Sequence, residues 1–121
     1  MYAVGSILSI ERNMYRHVGA YVGNNRVLQN TPSNGEEIVS LRKFADSAPV
    51  AIIVPQQFCT RSFLDRAYAI ALNPKRYDLL SNNCEHTISR ALYGDSRSPQ
   101  MLAAGVIAAL VMLVLLANRG N

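Results

Sequence analysis

The chain has 121 residues, of which 50% are apolar and 17% are charged. This length allows one domain with a modest core, and the composition excludes a disordered, highly charged protein. The 12 Lys and Arg against 8 Asp and Glu give a net charge of +4 without a basic stripe, so we expect no nucleic-acid partner. Two cysteines without a secretory signal argue against a disulfide framework.

The first part of the chain is predicted to form short strands. Residues 4–10 read as one strand, and the alternation over residues 16–22 predicts a second. Gly23, Asn24 and Asn25 tolerate positive φ and predict a turn, after which residues 26–29 return as the second arm of a hairpin. Residues 31–35 are rich in turn formers and predict a loop, and residues 50–54 predict a short apolar strand.

Two helices are predicted to follow these strands. Ser62 can cap the first, with Asp65 three residues later, and Asn73 with Pro74 ends it. The second begins near Asn83 and runs to Tyr93, with Gly94 as its C-terminal stop. Strands followed by helices indicate an α+β fold.

A long apolar stretch follows the predicted head domain. No charged residue occurs between Arg97 and Arg119, and residues 101–117 form a run of 17 apolar residues, about 25 Å long as a helix. This is the short end of the range that crosses a bilayer, and we expect a single membrane span. The predicted organisation is a head domain (1–96), a joint (97–100), a transmembrane helix (101–117) and a short tail (118–121).

The charges beside this span predict its orientation. Arg90 and Arg97 precede it, whereas Arg119 is the one charged residue after it. Because cytoplasmic flanks carry the excess of Lys and Arg, we expect the head domain in the cytoplasm. A thiol there remains reduced.

Cys84 is the strongest candidate for a nucleophile. Asn82 or Asn83 can cap the second helix, which places Cys84 in its first turn. The free amides and the positive end of the helix dipole favour a thiolate there, and the amides could donate to an oxyanion. Cys59 has no such setting, and we expect it to be an ordinary core residue.

A thiol nucleophile needs an imidazole partner, and the chain contains two histidines. His86 lies two residues after Cys84, about 200° around a helix, and therefore faces away from it. His17 lies on a predicted strand and can approach Cys84 in space. The residues thus favour a Cys84–His17 dyad, with His86 as a structural hydrogen-bonding residue.

Three stretches of the sequence carry a resemblance to a known family. They are GSIL with HVGAYVG and VLQ (residues 5–8, 17–23 and 27–29), YDLLSNNCEH (residues 77–86) and LYGDSRSPQ (residues 92–100). In this order they resemble the lecithin–retinol acyltransferase-like family, and most of all its small phospholipase A/acyltransferases with a C-terminal membrane anchor. The resemblance implies a permuted NlpC/papain-like fold, with a small antiparallel sheet packed against helices.

The resemblance also implies roles for individual residues. Cys84 matches the nucleophile and His17 the general base and acid. The family's third polar residue falls on Gln29, where the phospholipase and acyltransferase members have histidine, and Thr87 replaces the usual aromatic residue after Asn-Cys-Glu-His. The implied activity is transfer of an acyl group from membrane lipids through a cysteine thioester, without a cofactor or metal ion.

Gln29 can join His17 only if the hairpin has a particular register. A three-residue loop places Gly19 opposite Gln29, so that His17 and Gln29 share one face of the sheet. A two-residue loop would turn Gln29 to the other face. The proposed triad therefore requires the longer loop or a bulge.

Two alternatives remain open at this point. Some picornavirus proteins share a similar pair of motifs and a hydrophobic C-terminal stretch, which implies a non-catalytic interaction module. The same scaffold could also hydrolyse peptides or amides as a cysteine peptidase or amidase. Selective modification of Cys84 over Cys59 by a thiol reagent would favour an enzyme.

Overall fold

Five strands form one antiparallel sheet in the computed structural model, which describes residues 2–12, 15–55 and 57–95. The strands are β1 (Ile7–Arg12), β2 (Tyr15–Gly23), β3 (Arg26–Thr31), β4 (Gly35–Ser40) and β5 (Ala51–Ile53). The helices are α1 (Leu41–Ala45), α2 (Thr60–Leu72) and α3 (Cys84–Tyr93). The spatial order of the strands is β4-β3-β2-β1-β5, and every neighbouring pair is antiparallel. The predicted α+β class is confirmed.

The sheet buries both of its faces, because alternate residues of the strands pack against different helices. One face packs on α2 and α3; its buried residues are Ile7, Val18, Ala20, Val22, Leu28, Phe63, Ala67, Ile88, Ala91 and Leu92. The other face packs on α1; its buried residues are Leu8, Ile10, Tyr21, Val27, Val39 and Phe44. Side chains of β2 and β3 therefore separate into two environments according to their position along the strand.

The β2–β3 hairpin combines a two-residue turn with a bulge. Asn24 and Asn25 have φ values of 52° and 56°, as a tight hairpin turn of the mirror-image type requires. Gly23 pairs with Arg26, the register shifts between Tyr21 and Gly23, and Tyr21 then pairs with Val27. The loop has two residues rather than three, and the alternative requirement for the triad, a bulge, is met. The bulged residue, Val22, instead supplies the extra position that keeps His17 and Gln29 on one face.

The structure corrects several predicted boundaries. β1 begins at Ile7 and extends to Arg12, later than the predicted 4–10. β4 and α1 were not predicted, although Ser40 caps α1 by accepting a hydrogen bond from the Lys43 amide. β5 lies within the strand predicted at 50–54.

The two long helices differ in how well they were predicted. α2 begins at Thr60 with Cys59 as its N-cap residue, so the assignment of Ser62 as the cap was wrong. α3 runs from Cys84 to Tyr93, with Asn83 as the N-cap and Gly94 at φ 87° as the C-cap, as predicted.

The predicted transmembrane helix at 101–117 lies outside the described residues. Within the part of the chain that the structure describes, no helix has the length and apolarity needed to cross a membrane.

Candidate active site

The site lies where β2 and β3 separate. Their pairing runs from Gly23 with Arg26 to Ala20 with Leu28, while β2 continues back to Tyr15 and β3 continues to Thr31. The outer parts of both strands remain paired, with β1 and β4 respectively.

His17 and Gln29 lie beyond the paired part of the two strands and are joined through their side chains. His17 Nε2 is 3.0 Å from Gln29 Oε1, and both residues are almost fully buried. The imidazole also packs against Phe44, with ring centroids 5.2 Å apart. The structure thus brings together two of the three predicted catalytic residues by a direct hydrogen bond.

Glu37 determines how this hydrogen bond is oriented. Gln29 Nε2 donates to Glu37 Oε1 at 3.0 Å, and a carboxylate only accepts. Gln29 therefore presents its oxygen to His17, so Nε2 of His17 carries the hydrogen, as assigned from this network. In the neutral ring, Nδ1 is then the nitrogen that can accept a proton.

His17 is held in its neutral form by its surroundings. Burial lowers its pKa below the ordinary value, the hydrogen bond to Gln29 opposes this effect, and the charge of Arg12 adds to the lowering. An imidazole that is neutral at neutral pH can act as a general base.

Gly19 lets Val27, Phe44 and the Leu28 carbonyl pack closely beside His17. A Cβ at this position would lie 2.5 Å from Val27 Cγ1, 2.8 Å from Phe44 Cε2 and 2.9 Å from the Leu28 carbonyl oxygen. The last of these atoms belongs to the backbone of the paired strand and cannot move away alone. Glycine is therefore required for the packing around His17.

Cys84 reaches this region from the opposite face of the sheet. The Tyr21 amide donates to the Ser6 carbonyl, so it points toward β1. Successive amides of a strand point in opposite directions, and the Val18 amide, three residues earlier, therefore points toward β3. There the strands have separated, and the Val18 amide lies close enough to the Cys84 thiol to favour its ionised form. The thiol is therefore near the residue that directly follows His17, although the Cys84 side chain and the His17 imidazole lie on opposite faces of the sheet.

The cap of α3 fixes the position of Cys84. Asn83 Oδ1 accepts from the amides of Glu85 and His86 at 2.9 and 3.2 Å, and His86 Nδ1 accepts from the Asn83 amide at 3.2 Å. This reciprocal capping box confirms that His86 is a structural hydrogen-bonding residue.

Burial raises the pKa of the Cys84 thiol to about 11. The amides of Val18, Cys84 and Glu85 act in the opposite direction, whereas the carboxylate of Glu85 adds to the rise. The prediction that the helix N-terminus favours a thiolate was therefore wrong for this structure: removal of the thiol from water outweighs the amides and the dipole.

A buried polar cluster, missed by the sequence analysis, positions α3 against β3 and β4. Glu36 is 2% exposed, and its Oε2 accepts from Arg90 Nη1 at 2.8 Å and from Thr87 Oγ1 at 2.7 Å. Its Oε1 accepts from the Lys75 amide at 2.7 Å. One carboxylate therefore joins β4, α3 and the segment between α2 and α3.

Two asparagines extend this cluster toward Cys84. Asn82 Oδ1 accepts from Arg90 at 2.7 Å, and Asn30 Nδ2 donates to the Asn82 carbonyl at 2.7 Å and to Thr87 Oγ1 at 3.1 Å. The spacing of Thr87 and Arg90, three residues apart on one helix face, was the available sequence signal.

Cys59 differs from its prediction as a core residue. It is exposed at the N-cap of α2, where the nearby hydroxyl and amide of Ser62 lower its pKa. The two cysteines thus have the reverse of their expected properties, and the order in which a thiol reagent modifies them does not distinguish an enzyme from an interaction module.

No protein-family model matches the chain, and a comparison with curated proteins found no significant match. Among the residues described by the structure, no three His, Cys, Asp or Glu side chains group closely enough to hold a metal ion.

We predict that iodoacetamide at near-neutral pH modifies Cys59 before Cys84. Cys59 is exposed with a lowered pKa, whereas Cys84 is partly buried and its thiol has a pKa of about 11. Peptide mapping by mass spectrometry over time measures both rates in the full-length protein. In the Cys59→Ser control, the rate of Cys84 modification is measured alone and should be slow. Faster modification of Cys84 than of Cys59 would contradict the burial of the Cys84 thiol.

We also predict that Glu36→Gln lowers the free energy of unfolding by about 3 kcal/mol, because the partly buried Arg90 loses its counter-charge. Thermal unfolding of the full-length protein in mild detergent should show a Tm lower by roughly 10 °C or more. The control is Glu11→Gln, which removes an exposed ion pair with Arg16 and should change stability by less than about 1 kcal/mol.

The effect of Glu36→Gln should depend on pH. Burial alone would raise the pKa of Glu36, but the hydrogen bonds from Arg90, Thr87 and the Lys75 amide outweigh it and lower the pKa. A lowered pKa contributes stability above its ordinary value, 4.5, and this contribution is lost as pH falls. The Tm difference between the two proteins should therefore shrink between about pH 6 and about pH 3. A difference independent of pH would show that the charge of Glu36 is not the cause.

Proposed function

We propose that the chain is a membrane-anchored thiol acyltransferase or phospholipase-type enzyme acting on acyl esters of membrane lipids. The observation that carries this proposal is the meeting of α3 and β2: the Cys84 thiol lies against the Val18 amide, directly after His17, whose imidazole is oriented by Gln29. A nucleophile, a base and a residue that orients the base are the parts that nucleophilic acyl transfer needs.

In the first half of the proposed reaction, Cys84 Sγ attacks the carbonyl carbon of an ester, and the thiol proton passes to Nδ1 of His17 through the gap that opens where β2 and β3 separate. The tetrahedral oxyanion is stabilised by the backbone amide of Cys84, since the amides of Glu85 and His86 already donate to Asn83 Oδ1. When the intermediate collapses, the carbon–oxygen ester bond breaks, and the departing alkoxide takes the proton from His17. The products are an acyl-Cys84 thioester and an alcohol.

In the second half, water, an alcohol or an amine attacks the thioester, and His17 removes its proton. The carbon–sulfur bond breaks, and His17 returns the proton to Cys84. The acyl group leaves as an acid, an ester or an amide according to the acceptor.

The shifted pKa values favour one order of proton transfer. Burial keeps the Cys84 thiol protonated and His17 neutral at rest. The proton would therefore move as the sulfur attacks, rather than in a preformed thiolate–imidazolium pair. The carboxamide of Gln29 does not titrate near neutral pH, so Gln29 acts as a positioning residue.

The permuted NlpC/papain-like fold and the transmembrane helix belong to the same proposal. A helix that starts at the nucleophile and packs on an antiparallel sheet carrying the histidine supports the fold. A membrane anchor at 101–117 would hold the head domain on the cytoplasmic side, next to lipid substrates.

The raised pKa of Cys84 favours a second candidate, a non-catalytic interaction module in which the thiol is only a packing residue. A cysteine peptidase or amidase would use the same residues on a different carbonyl. Detection of a covalent acyl intermediate separates these candidates.

We predict that the full-length protein, incubated with mixed phospholipid vesicles, accumulates an acyl group on Cys84. Mass spectrometry should detect a thioester that hydroxylamine removes. Cys84→Ser should abolish it, and His17→Ala should slow its formation by roughly 10²-fold or more. Gln29→Ala should cost less, because the base remains present.

Cys59→Ser is the matched control for this experiment and should acylate at the normal rate. Acylation of the Cys84→Ser variant at the wild-type rate would overturn the nucleophile assignment. Unmodified Cys84 in a folded protein, with any of the phospholipids, would favour the interaction module.

We predict that the full-length protein stays with membranes after extraction in high salt and in alkaline carbonate. Seventeen uncharged apolar residues contribute far more insertion free energy than the head can gain from anionic lipid, at about 1 kcal/mol for each Lys or Arg near the surface. A truncation at residue 98 is the comparison and should be largely extractable. Release of the full-length protein by carbonate, or protection of the head from protease on the cytoplasmic side, would contradict the anchor.

A further inference from the structure

Two large apolar side chains project into solvent just before the catalytic candidate Cys84. Leu79 and Leu80 are 70% and 87% exposed, and they lie within a turn at residues 78–82. Exposing two adjacent leucines to water is unfavourable, so their placement at the rim of a candidate site needs a reason.

The turn that carries the leucines is well ordered by hydrogen bonds. Asp78 and Asn82 pair through both of their backbone amides, at 3.0 and 2.9 Å. Asp78 Oδ1 also accepts from the amides of Leu80 and Ser81, both at 2.9 Å. These hydrogen bonds involve only backbone groups and the Asp78 carboxylate, so the turn does not depend on the leucine side chains.

The turn is connected directly to the candidate site. Asn83 Nδ2, on the residue that caps α3, donates to the Leu79 carbonyl at 3.1 Å. Tyr77 lies on the other side of the turn, where burial raises its pKa and the neighbouring Cys84 and Glu85 add to the rise. The exposed leucines are therefore held next to the first turn of α3, which begins with Cys84.

The same segment carries a net positive charge, because it contains Lys75 and Arg76 against one carboxylate, Asp78. The exposed Lys75 and Arg76 precede the turn and line a cleft of about 480 Å³ together with Tyr77. Their backbone groups are engaged, the Lys75 amide with Glu36 and the Arg76 carbonyl with Asn82. Their side chains are thus available for anionic groups outside the protein.

We propose that the segment 75–80 docks on the surface of an anionic phospholipid bilayer, with Leu79 and Leu80 entering the interface and Lys75 and Arg76 contacting lipid phosphates. Apolar side chains beside basic ones suit the boundary between acyl chains and headgroups. This docking would bring Cys84 to an acyl ester that is still within the bilayer, and in that respect it rests on the proposed function.

The length of the chain permits this contact together with the proposed membrane span. α3 has 10 residues and is about 15 Å long, and it separates the turn from Gly94. Residues 94–100, between α3 and the apolar run, can extend over at most ~25 Å. The head could therefore lie with the N-terminal end of α3 against the bilayer.

Because the chain contains no tryptophan, a single introduced one can report the surroundings of the turn. Leu80→Trp is compared with Val54→Trp, which replaces a side chain 79% exposed next to β5, at the opposite edge of the sheet from β4. Both full-length proteins are reconstituted in vesicles of phosphatidylcholine and phosphatidylserine, with and without bromine on the acyl chains.

We expect the tryptophan of Leu80→Trp to emit at shorter wavelength in vesicles than in the protein unfolded by denaturant, and brominated lipid should quench its fluorescence. Val54→Trp should show neither change. Equal, water-like emission of the two variants in vesicles would overturn the proposal. So would a shift for Leu80→Trp that depends on protein density and is unaffected by brominated lipid, since that would indicate contact with a second copy of the chain.

Two further arms separate the parts of the proposal. Replacing Lys75 and Arg76 by Gln should reduce quenching of Leu80→Trp in phosphatidylserine vesicles, and unchanged quenching would overturn the role of the charges. Leu80→Asp should lower acylation of Cys84 by bilayer phospholipid about tenfold, while leaving acylation by a soluble short-chain ester unchanged. Equal losses on both esters would overturn the docking role.

The fluorescence result does not depend on catalysis. If Cys84 is never acylated but the Leu80→Trp emission is quenched by brominated lipid, the docking surface stands and the acyl-transfer function fails. If Cys84 is acylated while both tryptophans remain in water, the function stands and the docking surface fails.

Discussion

The buried carboxylate of Glu36 is the interaction on which the candidate site depends. It accepts from Arg90 and Thr87 of α3 and from the Lys75 amide, so that three separate parts of the chain meet at one side chain. A buried charge must be paired and hydrogen-bonded, and these three partners meet that requirement only when α3 lies across β3 and β4. The position of Cys84 beside the Val18 amide follows from that placement.

A second constraint comes from one extra residue in a strand. The two-residue turn at Asn24 and Asn25 would by itself put Gln29 on the wrong face of the sheet. The bulge at Val22 restores the register, and the His17–Gln29 hydrogen bond forms. Because β2 and β3 stop pairing beyond Ala20, the Val18 amide has no partner on β3 and faces the Cys84 thiol.

The features predicted from the sequence are those with local causes. Asn and Gly at positions of positive φ marked the hairpin and the end of α3, and Asn83 marked its start. β4 and α1 were missed because their burial depends on distant partners: Glu36 of β4 is buried against α3, and Phe44 of α1 is buried against the sheet. The pKa of Cys84 was mispredicted for a similar reason: a helix N-terminus is visible in sequence, whereas enclosure of the thiol by the sheet is a property of the tertiary structure. Cys59 was mispredicted because its neighbours in sequence do not cover it in space.

Gly19 has a consequence for how this protein can diverge. Its packing against Val27, Phe44 and the Leu28 carbonyl excludes any side chain, whether or not Cys84 reacts. Homologues without the proposed acyl transfer would therefore retain glycine at this position, and its presence would say nothing about activity. Gln29 is subject to a different constraint, because a buried apolar residue could replace it where His17 needs no orientation. Among natural variants, an apolar residue at 29 beside an unchanged Gly19 would mark a lineage that has the fold without the proposed chemistry.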